Sequence, residues 1–192
     1  MPSSASPAST AAPAGVTLWD IDPAHSSAHF AVRHMMVANV RGEFARITGT
    51  VRLDSADVTR SSVEASIDTA SINTGEPDRD AHLKSADFLD VQKYPTIEFR
   101  STRVARAGIG ELEITGDLTL HGVTRPVLLR VETDDSELKD PYGNVKRGAT
   151  ATTRISRKDF GLEWNVALEA GGFLVGDEVK ITLDVELSAR TE

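Results

Sequence analysis

Reactive side chains are concentrated in one stretch of the chain, RDAHLKSADFLDVQKYP, from Arg79 to Pro95. It sets Arg79, His82, Asp80, Asp87 and Asp90 beside Lys84 and Lys93. A histidine next to a carboxylate is the minimal acid–base pair, because imidazole titrates near neutrality and a carboxylate can orient it. His82 with Asp80, supported by His121, is therefore the cluster an enzyme could use for acid–base chemistry. The same residues equally suit a structural task, capping a helix and tying it to neighbouring loops. The structural task is the better supported of the two, since no nucleophile motif accompanies the cluster.

Other chemistries are poorly represented. There is no cysteine, which removes thiolate nucleophiles, disulfides and sulfur-ligated zinc, and no serine lies in a G-x-S-x-G elbow. Gly171, Gly172 and Gly176 lack both the lysine of a phosphate loop and the dinucleotide spacing. His25 and His29 have the i, i+4 spacing of a helical zinc motif, but Pro23 and the alternation of Ala28, Phe30 and Val32 place them in a strand. That spacing is then without meaning. We expect no metal, no cofactor and no catalytic residue.

Positioning elements follow from hydrophobic periodicity. From Val16 onward the chain alternates apolar and polar residues, the mark of strands with one wet face. The clearest case is 178–187, where Val179, Ile181, Leu183, Val185 and Leu187 oppose Glu178, Lys180, Thr182, Asp184 and Glu186. A second is 111–120. Weaker strands are predicted at 17–21, 27–34, 42–53, 62–67, 96–105, 127–138 and 145–156, with turns at Asp22-Pro23, 108–110, Gly122 and 140–144. Eight or nine antiparallel strands with polar outer faces suit a closed barrel, which leaves no bare edges, or a two-sheet sandwich. The reactive stretch is the one helical region. Pro77 suits a first helical position, Asp78 and Asp80 favour the N-terminus, and the apolar period breaks near 85–87.

Composition narrows the partners. The 192 residues carry 21 Lys and Arg against 29 Asp and Glu, a formal charge of −8, so nucleic acid is not an expected partner. Residues 1–15 are nearly all Ala, Ser and Pro and read as a disordered tail ahead of a domain at 16–190. They show neither a basic start nor an apolar run, and no stretch reaches the ~20 apolar residues of a membrane helix. We therefore expect a cytoplasmic protein without a transmembrane segment.

Several segments together resemble the YceI-like, polyisoprenoid-binding family. They are DPAHS (22–26), FAVRH (30–34), VRGEF (40–44), SIDT (66–69), RDAHL (79–83) with Asp87-Phe88, YPTIEF (94–99), GDLTLHGVT (116–124), Tyr142-Gly143 and RKDFG (157–161). Their shared order and spacing cover almost everything between Leu18 and Leu187. The resemblance implies an all-β fold, an extended lipocalin-like antiparallel β-barrel of about eight strands with a short helical insertion. It also implies non-catalytic binding, storage or transport of a polyprenyl quinone, polyprenyl alcohol or fatty amphiphile, and a homodimer by analogy.

A barrel of ~8 strands either fills its interior with side chains or holds a small ligand. With aromatics at 5% of the chain, and Ala, Val, Ser, Thr and Gly at many strand positions, a narrow tunnel is expected. The expected tunnel contacts are Phe30, Val32, Met35, Met36, Phe44, Ile97, Phe99, Leu118, Leu120 and Phe160. Phe88, Leu89, Trp164 and Phe173 are expected near its mouth, with the 79–95 stretch acting as a lid.

Overall fold

The computed structural model describes residues 15–133, 136–169 and 171–190. The tail expected at 1–15 lies, but for Gly15, outside these residues. The strands in chain order are β1 (Val16–Ile21), β2 (Ser27–His34), β3 (Ala38–Phe44), β4 (Ile47–Asp54), β5 (Ser62–Asp68) and β6 (Ile72–Asn73). After the helix α1 (Pro77–Lys84) come β7 (Thr96–Gly108), β8 (Glu111–Leu120), β9 (Val123–Thr133), β10 (Leu138–Lys139), β11 (Val145–Ser156) and β12 (Val175–Ala189).

These segments make eight long strands. β1 and β2 lie end to end along β12, with Ile21 opposite Leu187 and Ser27 opposite Asp184, and the Asp22-Pro23 turn looping out between them. The single strand predicted at 42–53 is likewise two, because Ala45 and Arg46 leave the ladder between β3 and β4. β10 is a two-residue stub on β11, separate from β9. Sheet neighbours are sequence neighbours round the ring, and β11 pairs with β12 from Lys146 opposite Ser188 to Ser156 opposite Glu178. The result is a closed eight-stranded antiparallel barrel, which decides between the barrel and the sandwich.

One seam is incomplete. β9 and β11 pair from Thr133 opposite Ala149 to Arg130 opposite Thr152, and beyond that both continue as strands without pairing to each other. Elsewhere turn chemistry matches the backbone. His121 (φ 52°) and Gly122 (φ 73°) are both left-handed, as the tight β8–β9 hairpin requires. The 79–95 stretch begins as a helix with Pro77 in its first turn, and Ser85 caps its end through its N–H to the His82 carbonyl at 3.1 Å. Its N-cap is Glu76, whose carboxylate accepts from the Arg79 N–H at 2.9 Å. Asp80 instead turns back to accept from the Thr74 N–H (2.9 Å) and hydroxyl (2.5 Å).

The point where β1 passes into β2 is clasped to the closing seam. Lys146 of β11 places Nζ 2.6 Å from Asp22 Oδ2 and 3.0 Å from Glu186 Oε1 of β12. Ser26, buried, donates to the Glu186 carbonyl and accepts from its N–H. The lysine, then His25 and the Ala24 N–H, hold the Asp22 carboxyl well below the usual carboxylate range, while Asp22 and then Glu186 push the Lys146 ammonium up. A depressed carboxylate stabilises the fold above its unfolded pKa and loses that contribution as pH falls through its folded value; a raised lysine does so below its unfolded pKa and loses it as pH rises. Both contributions are therefore complete between about pH 5 and 9. Lys146→Met should cost about 1–2 kcal/mol at pH 7 in urea unfolding, and the difference from the parent should shrink toward pH 2.

Candidate functional site: an apolar lumen

Inside the ring, alternate residues of every long strand converge on a cavity of about 680 Å³. That is far larger than the ~150 Å³ apolar cavity that holds a benzene, and within the ~300–1,000 Å³ of ligand sites. Its walls are aliphatic and aromatic. Near α1 they include Phe30, Phe44, Ile97, Leu118 and Leu120, and deeper they include Val51, Val63, Ile114, Leu129 and Leu183. Two buried clusters bracket it, one around Ile72, Leu89, Ile155 and Phe160 and the other around Val104, Ile114 and Val131.

Glycines keep the bore open. A Cβ on Gly42 would meet Phe30 Cζ at 2.5 Å, and one on Gly116 would strike Phe99 Cζ and the Arg100 carbonyl. Each phenylalanine ring thus lies back against a glycine of a neighbouring strand instead of filling the lumen. Ala28, Ala65, Ala149 and Ala151 further spare the interior.

Ten expected residues line this cavity: Phe30, Val32, Phe44, Phe88, Leu89, Ile97, Phe99, Leu118, Leu120 and Trp164. Four stand elsewhere. Met35 (φ 49°) and Met36 (φ 62°) form the left-handed β2–β3 turn, exposed by 45% and 63%, because β2 ends at His34 and the chain leaves the wall there. Phe173 is 54% exposed in the loop before β12, beneath Lys158. Phe160 is fully buried in the apolar cluster beside the cavity and does not line it. Of the deeper half of the lumen only Phe99 was in the expected set, although Leu183, Val185 and Leu187 share the alternating face of Val179 and Ile181.

The 79–95 stretch covers one end. Leu83, Phe88 and Leu89 face the cavity, and His82 meets the Phe88 and Trp164 rings edge-on at 5.1 and 4.7 Å. His82 Nε2 lies 2.9 Å from Asp87 Oδ2. Asp80 is engaged by Thr74, and His121 meets Tyr94 edge-on and faces the Phe160 carbonyl, so the His82, Asp80 and His121 set that the alternative, enzymatic reading would use is not assembled. Among the described residues, Asp22, His25 and Glu186 are the one group whose ligand atoms converge as a metal would require. The Lys146 ammonium already stands between Asp22 and Glu186.

Arg157 holds the rim together. Its guanidinium is nearly buried and donates to the carbonyls of Gly176 (2.9 Å), Leu162 (2.5 Å) and Trp164 (2.9 Å), with Asp177 at 3.4 Å. Burial lowers its pKa and Asp177 opposes that shift. The RKDFG motif is therefore an anchor for the segment carrying Trp164.

The sequence model of the YceI-like domain matches residues 19–187. A UPF0312 protein of Vibrio cholerae serotype O1 is 40% identical over 144 residues, 75% of this chain and 76% of the relative. One from Pseudomonas savastanoi pv. phaseolicola is 38% identical over 144 residues, 75% and 74% of the two chains. Among solved structures, Burkholderia cenocepacia BcnA superposes with a TM-score of 0.73 at 24% identity, over 86% of this chain and 98% of that one. A polyisoprenoid binding domain from Saccharophagus degradans superposes at 0.65 and 16% identity, over 90% and 98%. At these identities the two structures bear on the fold alone.

Two substitutions test the lumen. Gly116→Ala should cost about 1–3 kcal/mol by crowding Phe99 and the Arg100 carbonyl, and should lower uptake of an apolar fluorescent dye; Phe99→Leu should recover the part of each loss due to the ring and leave the part due to the carbonyl. Arg157→Met should cost about 1–3 kcal/mol in chemical unfolding, because the buried Leu162 carbonyl and the half-buried Gly176 and Trp164 carbonyls lose their donor.

Proposed function

The chain belongs to the YceI-like domain family, and on that premise we propose that it is a non-catalytic lipid-binding protein that holds a long isoprenoid or similar hydrocarbon chain in its lumen. The observation that carries this reading is the apolar cavity that the side chains leave within the closed barrel. A solvent-filled apolar tunnel of this size is unfavourable, and hydrocarbon is what such walls bind best. Each buried CH₂ is worth ~0.8 kcal/mol, so one five-carbon isoprene unit offers ~3–4 kcal/mol before ordering costs. A polyprenyl quinone or alcohol is the ligand class that best uses a long narrow bore, as a carried or a stored molecule. The name of the Saccharophagus degradans neighbour agrees with this class.

Catalysis finds no support in the side chains at the lumen. The His82–Asp87 pair packs against the Phe88 and Trp164 rings, a geometry that serves the cover over the barrel end.

Organic extraction of the purified protein followed by mass spectrometry should recover a polyprenyl or fatty species. Added amphiphile at ~100 Kd should stabilise the stripped protein by ~2.7 kcal/mol. A clean extract together with an unchanged melting temperature in the presence of polyprenyl quinone and fatty acid would refute the reading.

A further inference from the structure

Exposed apolar side chains gather at one end of the barrel. Met35, Met36 and Val37 stand on the β2–β3 turn, and Val166 and Phe173 on the small hairpin before β12 that Ala167 and Phe173 bridge. They are five of the nine large apolar side chains exposed among the described residues. The two turns are neighbours: the Met35 N–H donates to the Leu174 carbonyl at 2.8 Å, and a Cβ on Gly172 would touch Met36 Cγ at 3.6 Å. This is the lid end, since His34, Trp164, Leu174 and Val175 at the base of the turns line the lumen together with His82 and Phe88.

The β2–β3 turn is built against backbone preference. The Val37 N–H closes it onto the His34 carbonyl at 3.1 Å, and its two central residues, Met35 and Met36, are both left-handed. Asn-Gly is the favoured pair in such a turn, because a longer side chain crowds the left-handed backbone. Two long apolar side chains, strained and exposed, serve the fold less well than Asn-Gly would, which points to a use outside the fold.

Charge completes the pattern. Residues 34–40, HMMVANV, hold no Asp, Glu, Lys or Arg, and Arg33 and Arg41 flank them. Arg33 opposes Asn39 and Arg41 opposes Ala31, so both arginines lie on one face of the hairpin. Neither has a carboxylate partner among the described residues; Arg33 donates instead to the Met36 carbonyl at 3.0 Å. On the second turn Lys158, paired with Asp177 at 2.9 Å, stands over the Phe173 ring, and Glu169 is the single carboxylate of 165–174. An apolar tip with guanidinium groups just behind it matches the surface of a bilayer, whose acyl boundary takes the tip and whose phosphates take the arginines. Five side chains on two turns fall well short of the ~20–30 residues a side of a stable protein interface. A bilayer is therefore favoured over a second copy or another protein.

We propose that this end of the barrel docks on a lipid bilayer, with Met35, Met36, Val37 and Phe173 in the acyl boundary and Arg33 and Arg41 at the phosphates. The inference builds on the lipid-binding reading, to which it adds the partner with which the lumen exchanges its contents. Docked in this way, the covered mouth faces the membrane, and a hydrocarbon chain passes between lumen and bilayer without crossing water.

The test floats the full-length chain with vesicles of phosphatidylcholine, alone or with added phosphatidylglycerol. A formal charge of −8 gives the chain no general attraction to anionic lipid, so binding reports the patch. Met35→Asn with Met36→Gly, the pair the turn prefers, should lower vesicle affinity about tenfold while dye uptake by the lumen is unchanged and the melting temperature is equal or higher. Binding should be tighter to the phosphatidylglycerol vesicles, and both Arg41→Gln and added sodium chloride should narrow that difference. A parent chain that floats with neither vesicle, or binding that survives the double substitution, overturns the bilayer dock. So does a concentration-dependent dimer in sedimentation that the double substitution dissolves while no vesicle binds, which gives the patch to a second copy. Equal binding to both vesicles overturns the part given to the arginines. All these failures leave dye uptake, and with it the lumen reading, intact, whereas a parent that takes up no apolar dye overturns the lumen reading whatever the vesicles show.

Discussion

Because β12 is hydrogen-bonded along both edges, to β11 on one side and to β1 and β2 on the other, the sheet returns on itself and its bore is set by strand number and stagger. Eight strands is the size at which an interior can be either filled or left open, so side-chain volume decides. Here the decision falls at a few positions. Phe30 and Phe99 would fill the lumen if they stood upright, and Gly42 and Gly116 allow them to lie against the wall. The same four residues therefore link strand register to ligand capacity.

An unfilled barrel gives up part of the packing that normally stabilises a domain, and the burden shifts to its ends and seams. The Asp22–Lys146–Glu186 clasp fixes the junction of the closing strands, and Arg157 ties the 162–164 segment to the start of β12. The lid is held differently. α1 contains no fully buried residue, and its hold on the barrel comes mainly from Leu83 and from Phe88 and Leu89 just beyond it. Few buried contacts make a segment open at lower free energy than the strands around it. The element over the end of the lumen is thus the one that can yield without unfolding the ring.

Most of this wall was legible in the sequence because alternation is a local property. The strands at 111–120 and 145–156, the helix opened by Pro77 and the turn at Gly122 each follow from residues within a few positions of one another. What escaped was non-local. The Ala45-Arg46 interruption, the closure through β12 and the end of the β9–β11 ladder depend on which strand lies opposite, which alternation does not encode. Met35 and Met36 read as pocket residues on chemistry, yet their left-handed backbone carries them off the wall. Phe160 was expected to line the bore and instead lies buried in the apolar cluster beside it, because the Arg157–Phe160 turn carries it off the β11 strand.

The absence of a reactive motif is itself a physical consequence of binding by the tail. Hydrocarbon binding is nearly additive in length and indifferent to the order of apolar residues, so a lumen can be assembled from any alternation that keeps its volume free. Affinity then grows with chain length, and discrimination among ligands of equal length cannot come from the bore. It must come from whatever polar groups meet the ligand where it leaves the lumen. Such groups stand at the ends of the barrel and at the seam where β9 and β11 cease to pair.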